Sequence, residues 1–178
     1  GINLTIEKGE FVYLIGKTGS GKSSLLRSIY ADIPIEAGAA RVCGFDLNKM
    51  RRSQIPMLRR KLGIVFQDFQ LLKDRSVFDN LAFVLRATGM KDKQAMKERI
   101  LQALDDVGLL QKAEEQACDL SEGEMQRVSI ARAIVNNPEL ILADEPTGNL
   151  DPITSEEIVE LLMQINKKHG TTVLMATH

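Results

Sequence analysis

Two hydrophobic patterns alternate along the chain. Four short runs are apolar and bounded by polar residues: Phe11-Val12-Tyr13-Leu14-Ile15, Leu62-Gly63-Ile64-Val65-Phe66, Leu140-Ile141-Leu142-Ala143 and Thr172-Val173-Leu174-Met175-Ala176. Their length and β-branched content predict strands. Between them, apolar positions recur three and four residues apart. Ile158, Leu161, Leu162 and Ile165 share one face of a helix that starts at Asp151-Pro152, an N-cap with proline at the first helical position, and stops at Gly170. Met96, Ile100, Ala103, Leu104 and Val107 repeat the spacing among charged residues, so the stretch from about Ser76 to Asp119 reads as a mainly helical insertion beside the core. Strands separated by helices predict a mostly parallel sheet covered by helices. Leu4 to Glu10 and Ala39 to Asp46 read as additional short strands. Repeats and low-complexity linkers are lacking, so residues 1–178 read as a single α/β domain.

Composition narrows the function. With 44% apolar residues the chain supports a real core. Lys and Arg total 23 against 24 Asp and Glu, a net charge of −1, without the basic excess of a phosphate-backbone binder, so nucleic acid is not an expected partner. Cys43 and Cys118 are far apart and form neither a zinc pattern nor a disulfide framework; they read as buried or indifferent thiols of a reducing compartment. The apolar runs are far shorter than the ~20 residues a bilayer requires, so no transmembrane segment is expected. The chain opens inside a strand-like phrase and stops at Thr177-His178, which reads as a domain trimmed at both ends.

The chemistry lies at the strand ends. Gly16-Lys17-Thr18-Gly19-Ser20-Gly21-Lys22-Ser23 follows an apolar strand and leads into a helix that begins near Ser23 and continues through Leu25 and Leu26, the context of a P-loop. Its glycines let backbone N–H groups face phosphate oxygens, the helix N-terminus adds positive potential, Lys22 supplies a point charge and Ser23 a hydroxyl for Mg²⁺. A flexible glycine turn is the weaker alternative. Asp144 and Glu145 end the third strand, where ligands gather in open α/β sheets. One carboxylate there can hold Mg²⁺ while its neighbour deprotonates an attacking water. Gln67 and His178 end the other two strands. Singly each is ordinary punctuation or a frayed end; together the four ends describe a phosphate, its metal and its water. His169, in Lys167-Lys168-His169-Gly170, sits where a cation favours the helix dipole and reads as structural. Ser121 with Glu124 three residues on reads by spacing alone as a capping box.

The order of these motifs resembles that of an ABC-type ATPase domain. Walker A at Gly16 to Ser23, a Q-loop at Gln67, Leu-Ser-x-Gly-Glu at 120 to 124, Walker B at Leu140 to Glu145, a D-loop at Gly148-Asn149-Leu150-Asp151 and His178 span essentially the whole chain. The resemblance implies a P-loop NTPase fold with a parallel sheet core, a small antiparallel β portion, and a helical subdomain at about 76–136 carrying the signature motif. It implies ATP and Mg²⁺ bound by the Gly16 to Ser24 segment, with Ser23, Gln67 and Asp144 at the metal. Glu145 would be the general base, Gln67 would reach metal and water, and His178 would sense the γ-phosphate. It also implies a head-to-tail homodimer, in which Ser121 and Gly123 meet the γ-phosphate held by the other copy.

Glu122 departs from the usual Leu-Ser-Gly-Gly signature, and the aromatic residue that stacks on adenine is expected before residue 1. Phe66 to Asn80 and Ala143 to Asp151 look most like the cell-division branch of the family, with the lipoprotein-release and macrolide-export branches similar over the second phrase. That likeness implies an integral membrane partner, an FtsX-like permease, and a cytoplasmic position on the inner face of the cell membrane. ATP turnover there would control cell-wall hydrolysis on the other side. A DNA-associated ATPase of this type would carry long coiled coils between Walker A and Walker B, and no sustained heptads occur there. Arg51, Arg52, Arg59, Arg60 and Lys61, the only basic cluster, read as a solvated face or a lipid-side contact. Glu122 also raises a scaffold that binds ATP without useful turnover.

Overall fold

The computed structural model describes residues 1–178. Four strands, β1 (Phe11–Ile15), β4 (Leu62–Val65), β5 (Leu140–Asp144) and β6 (Thr172–Thr177), form one sheet in the order β1-β6-β5-β4. Every neighbouring pair is parallel, with Leu14 opposite Ala176, Ala143 opposite Met175 and Val65 opposite Ala143. All four carboxyl ends therefore emerge along one edge. Parallel strands covered on both faces are apolar nearly throughout, which is why β5 and β6 read so plainly in the sequence.

The strand period of two divides the sheet's side chains between two cores. Leu142, Leu174 and Ala176 point to a small core shared with Leu26 of α1 (Lys22–Ile29) and Leu58 of α2 (Ile55–Arg59). Ile141, Ala143, Val173 and Met175 point the other way, onto α5 (Glu122–Ile134) and α6 (Pro152–His169). That second core of 27 buried residues runs without a break into α3 (Val77–Ala87) and α4 (Lys93–Asp106), through Leu81, Leu85, Ile100 and Leu104. Gly63 sets how closely α5 lies on the sheet, because a Cβ there would stand 2.3 Å from the Ala133 carbonyl oxygen.

The helical insertion leaves and rejoins the chain at one neck. Ser76 and Gln116 form an antiparallel bridge, with the Val77 N–H donating to the Glu115 carbonyl at 2.8 Å and the Ala117 N–H to that of Arg75 at 3.0 Å. The helix read from Asp151 to Gly170 forms as α6: the Asp151 carboxylate accepts from the Thr154 N–H at 3.2 Å, and Gly170 ends it at φ +67°. His169 has more than a dipole to answer. Its Nε2 lies 2.9 Å from Asp106 Oδ2, and Lys168 Nζ 2.6 Å from Oδ1, so the last residues of α6 hold the end of α4.

Two readings change. Leu4 to Glu10 is not a strand: it has no ladder partner, turns at Lys8-Gly9, and leaves Leu4 47% exposed. A β-like composition forms a strand only where another backbone is offered to it. Ala39 to Asp46 narrows to an antiparallel hairpin, β2 (Arg41–Val42) and β3 (Phe45–Asp46), turned by Cys43 and Gly44 at φ +47° and +83°. The Cys43 thiol is half-buried and burial, with Glu139 beside it, pushes its pKa up to about 11; Cys118 is exposed. No helix is long and apolar enough to cross a membrane.

Candidate active site

The segment from Gly16 to Gly21 connects β1 to α1, with Gly19 and Gly21 at φ +82° and +96°, conformations that L side chains rarely adopt. Lys22, only 7% exposed, folds its ammonium back onto the loop, donating to the carbonyls of Gly16 and, at 3.0 Å, Lys17. Across the cleft, Asp144 ends β5 and its Oδ1 accepts from Ser23 Oγ at 3.1 Å. Glu145 turns out of the ladder with φ +46°, a left-handed conformation that costs a non-glycine residue roughly 1–2 kcal/mol. Its N–H still donates to the Ala176 carbonyl at 2.9 Å, and the turn brings Oε1 to 3.3 Å from His178 Nδ1 and 4.0 Å from Lys22 Nζ.

Gln67, beyond the end of β4, is tied to the segment after Glu145. Its Nε2 donates to Asn149 Oδ1 at 3.3 Å, and Asn149 Nδ2 returns a bond to the Gln67 carbonyl at 3.0 Å. Gly148 makes room for this, since a Cβ there would lie 2.5 Å from Gln67 Nε2.

Thr18, Gly19, Gly21, Lys22, Ser23 and Ser24 from the loop and helix, with Gln67, Asp144 and Glu145 from the strand ends, line a cleft of about 360 Å³ that has no hydrophobic residue in its wall. Gly16, Lys17 and Ser20 belong to the loop but not to the wall, and His178, 58% exposed, joins the site through Glu145. The metal candidates Ser23, Asp144 and Gln67 offer only oxygen donors: a hydroxyl, a carboxylate and an amide carbonyl. Such a set fits Mg²⁺, which takes few protein ligands and fills its shell with water and substrate phosphates.

Ser121 and Gly123 stand outside this cleft. Ser121 caps α5, its Oγ accepting from the Glu124 N–H at 3.2 Å while its own N–H donates to Glu124 Oε1 at 3.0 Å. The Lys112 ammonium, and then the Ser121 N–H, hold the Glu124 carboxyl below the usual carboxylate range. Gly123 packs on α6, where a Cβ would meet Thr154 Cγ2 at 2.8 Å.

The sequence reading missed two residues of α5. Gln126 is fully buried, and its Nε2 donates to the Phe66 carbonyl at 3.2 Å and the Pro146 carbonyl at 2.5 Å. A polar residue four positions before the buried Ile130, on the helix face that meets the sheet, was the available signal. Arg132 donates to the carbonyls of Phe69 at 2.8 Å and Gln70 at 2.6 Å, and nothing in its spacing announced that.

The sequence pattern described as ABC transporter matches residues 1–148. The chain is 52% identical over 177 residues to the cell division ATP-binding protein FtsE of Mycobacterium tuberculosis, covering 99% of this chain and 76% of the relative. The FtsE proteins of Streptococcus pneumoniae and Escherichia coli K12 are 47% and 46% identical over all 178 residues, with 76% and 79% of each relative covered. The chain belongs to the ABC transporter family. Solved ABC structures superpose on it closely. CbiO1 from Clostridium perfringens, part of the ABC transporter complex cbiONQ, gives a TM-score of 0.91 at 34% identity, covering 100% of this chain and 70% of that one. The ATP-binding cassette MJ0796, in a dimeric post-hydrolysis state bound to ADP and Pi, gives 0.86 at 36% identity, covering 99% and 78%. The parallel sheet, small antiparallel hairpin and helices are thus the P-loop fold of an ABC ATPase.

Proposed function

We propose that the chain is the ATP-hydrolysing subunit of an ABC-type cell-division complex, and that its own cleft supplies one half of each ATP site. The backbone of Gly16 to Gly21 receives the β- and γ-phosphates, and Lys22 turns from its loop carbonyls to their charge. Ser23 and Asp144, with Gln67 in reach, would hold Mg²⁺, which would supply positive charge to the phosphoryl oxygens. Glu145 orients a water and accepts its proton as the water oxygen bonds to the γ-phosphorus; the bond from that phosphorus to the bridging oxygen breaks, leaving ADP and phosphate. His178 steers Glu145 and contacts the γ-phosphate.

The reading is carried by one observation: at the end of β5, Asp144 faces Ser23 at 3.1 Å while its neighbour Glu145 faces His178 at 3.3 Å, so adjacent carboxylates are assigned to different partners. In the full-length protein, Glu145→Gln is expected to lower phosphate release by roughly 10²- to 10⁴-fold while ATP still binds. Phosphate release at the wild-type rate would reject Glu145 as the base.

Ser121 and Gly123 complete the site of a second copy in a head-to-tail homodimer, and residues 76–136 form the helical subdomain that presents them. Their position outside this chain's own cleft supports that arrangement, as does the dimeric cassette MJ0796. The similarity to FtsE proteins supports the setting: the cytoplasmic side of the cell membrane, an FtsX-like permease as membrane partner, and ATP turnover that controls cell-wall hydrolysis at division.

A further inference from the structure

The segment that carries Gln67 runs from the end of β4 to the start of α3; backbone pairing reaches only its far end, where Cys118 and Ala117 donate to Lys73 and Arg75, and its Gln67 end is fixed by side chains. Arg132 of α5 holds two successive carbonyls, those of Phe69 and Gln70, at 2.8 and 2.6 Å. Both residues lie in the left-handed region, at φ +63° and +52°, where a residue other than glycine stays only when its surroundings impose it. The bend aims both carbonyls at one guanidinium, and a planar fork satisfies two acceptors in a way that a single ammonium does not. One turn and a half earlier on α5, the buried Gln126 amide joins Phe66, immediately before Gln67, to Pro146, immediately after Glu145. At the far end, Asn80 of α3 accepts from the Leu72 N–H at 2.8 Å and donates to the carbonyls of Leu72 and Ser76. Arg132 and Gln126 do not line the cleft, yet they hold the backbone on which its residues stand.

We infer that Arg132 is a positioning residue for Gln67: it imposes the left-handed bend at Phe69-Gln70 and, with Gln126, ties the Gln67 segment to the helix whose first turn carries Ser121 and Gly123. The inference rests on the reading that Gln67 serves the metal and the attacking water.

The test is a double-mutant cycle in the full-length protein, with ATP turnover, ATP affinity and melting temperature measured for Arg132→Lys, Gln67→Ala and the pair. Arg132→Lys keeps the charge and loses the fork. It is expected to lower kcat about tenfold, with ATP affinity and melting temperature near those of the parent. In the Gln67→Ala background the same change is expected to cost nothing further, because the group it positions is gone. A tenfold loss in both backgrounds, or a loss that follows a lowered melting temperature, overturns the inference and leaves the Gln67 reading standing. Wild-type turnover in Gln67→Ala overturns that reading and the inference with it. If Arg132→Lys does not fold, Arg132→Gln, which also loses the two-pronged fork to Phe69 and Gln70, takes its place in the cycle with the same expected pattern.

Discussion

The P-loop cleft and the start of α5 each carry a serine that we propose meets a nucleotide, and the two stand under opposite local demands. In the cleft, Ser23 is exposed and its hydroxyl has one partner, the Asp144 carboxylate that shares its proposed metal. At the start of α5, Ser121 is already engaged as the cap, locked with Glu124, which in turn is held by Lys112. The hydroxyl in the first position caps no helix and bonds only across the cleft, to Asp144. In the second position the same chemical group stabilises the helix that presents it.

Three substitutions break or sharpen that contrast. Ser23→Ala should have the largest effect, lowering ATP turnover about a hundredfold, as removal of one positioned ligand does, with unfolding stability within about 0.5 kcal/mol of wild type. Titrating Mg²⁺ against turnover reads the loss; a turnover that stays at the wild-type level would remove Ser23 from the metal site. Ser121→Ala should cost about 1 kcal/mol in urea unfolding, the usual value of an N-cap, and should reduce turnover while a single copy binds ATP normally. Were ATP affinity to fall as far as in Ser23→Ala, the two serines would belong to one site and the contrast would be gone.

The smallest effect is expected far from both. The Asp106 side chain is 5% exposed at the contact between α4 and α6. Burial opposes its ionised form, but hydrogen bonds from Lys168, His169 and Gln102 outweigh that and hold its pKa below the ordinary value. A depressed folded pKa means stabilisation that is complete above the unfolded value, about 3.9, and is lost as pH falls through the folded one. Asp106→Asn should therefore cost under about 1 kcal/mol at neutral pH, and the difference from wild type should begin to shrink below about pH 4 and vanish only once pH has fallen through the lower, folded value. A difference that persists there would assign the contact to packing instead.

What was legible in the sequence shares a physical property: it is local. The strands β4, β5 and β6 read because they are buried on both faces, α6 because Asp151 and Gly170 mark its ends chemically, and the P-loop because glycines and Lys22 occupy fixed offsets. The cleft's residues followed from the rule that parallel strands present their carboxyl ends together. What stayed hidden depends on a second stretch of backbone. Arg132 reaches the carbonyls of Phe69 and Gln70, and Asn149 the carbonyl of Gln67; a carbonyl has no letter in the sequence. Leu4 to Glu10 was misread for the same reason in reverse, since its composition suits a strand and no neighbouring ladder receives it.

At Gly63 the strand that delivers Gln67 meets the helix that begins at the signature, with the Ala133 carbonyl where a methyl group would otherwise be. Side chains in most helix-to-sheet contacts form a cushion that yields by rotamer changes. At this one position that cushion is absent, and the backbone of the strand lies against the backbone of the helix. In mechanical terms such a joint has nothing to compress: any larger residue at 63 would have to move the strand or the helix itself, because the atom it meets is backbone.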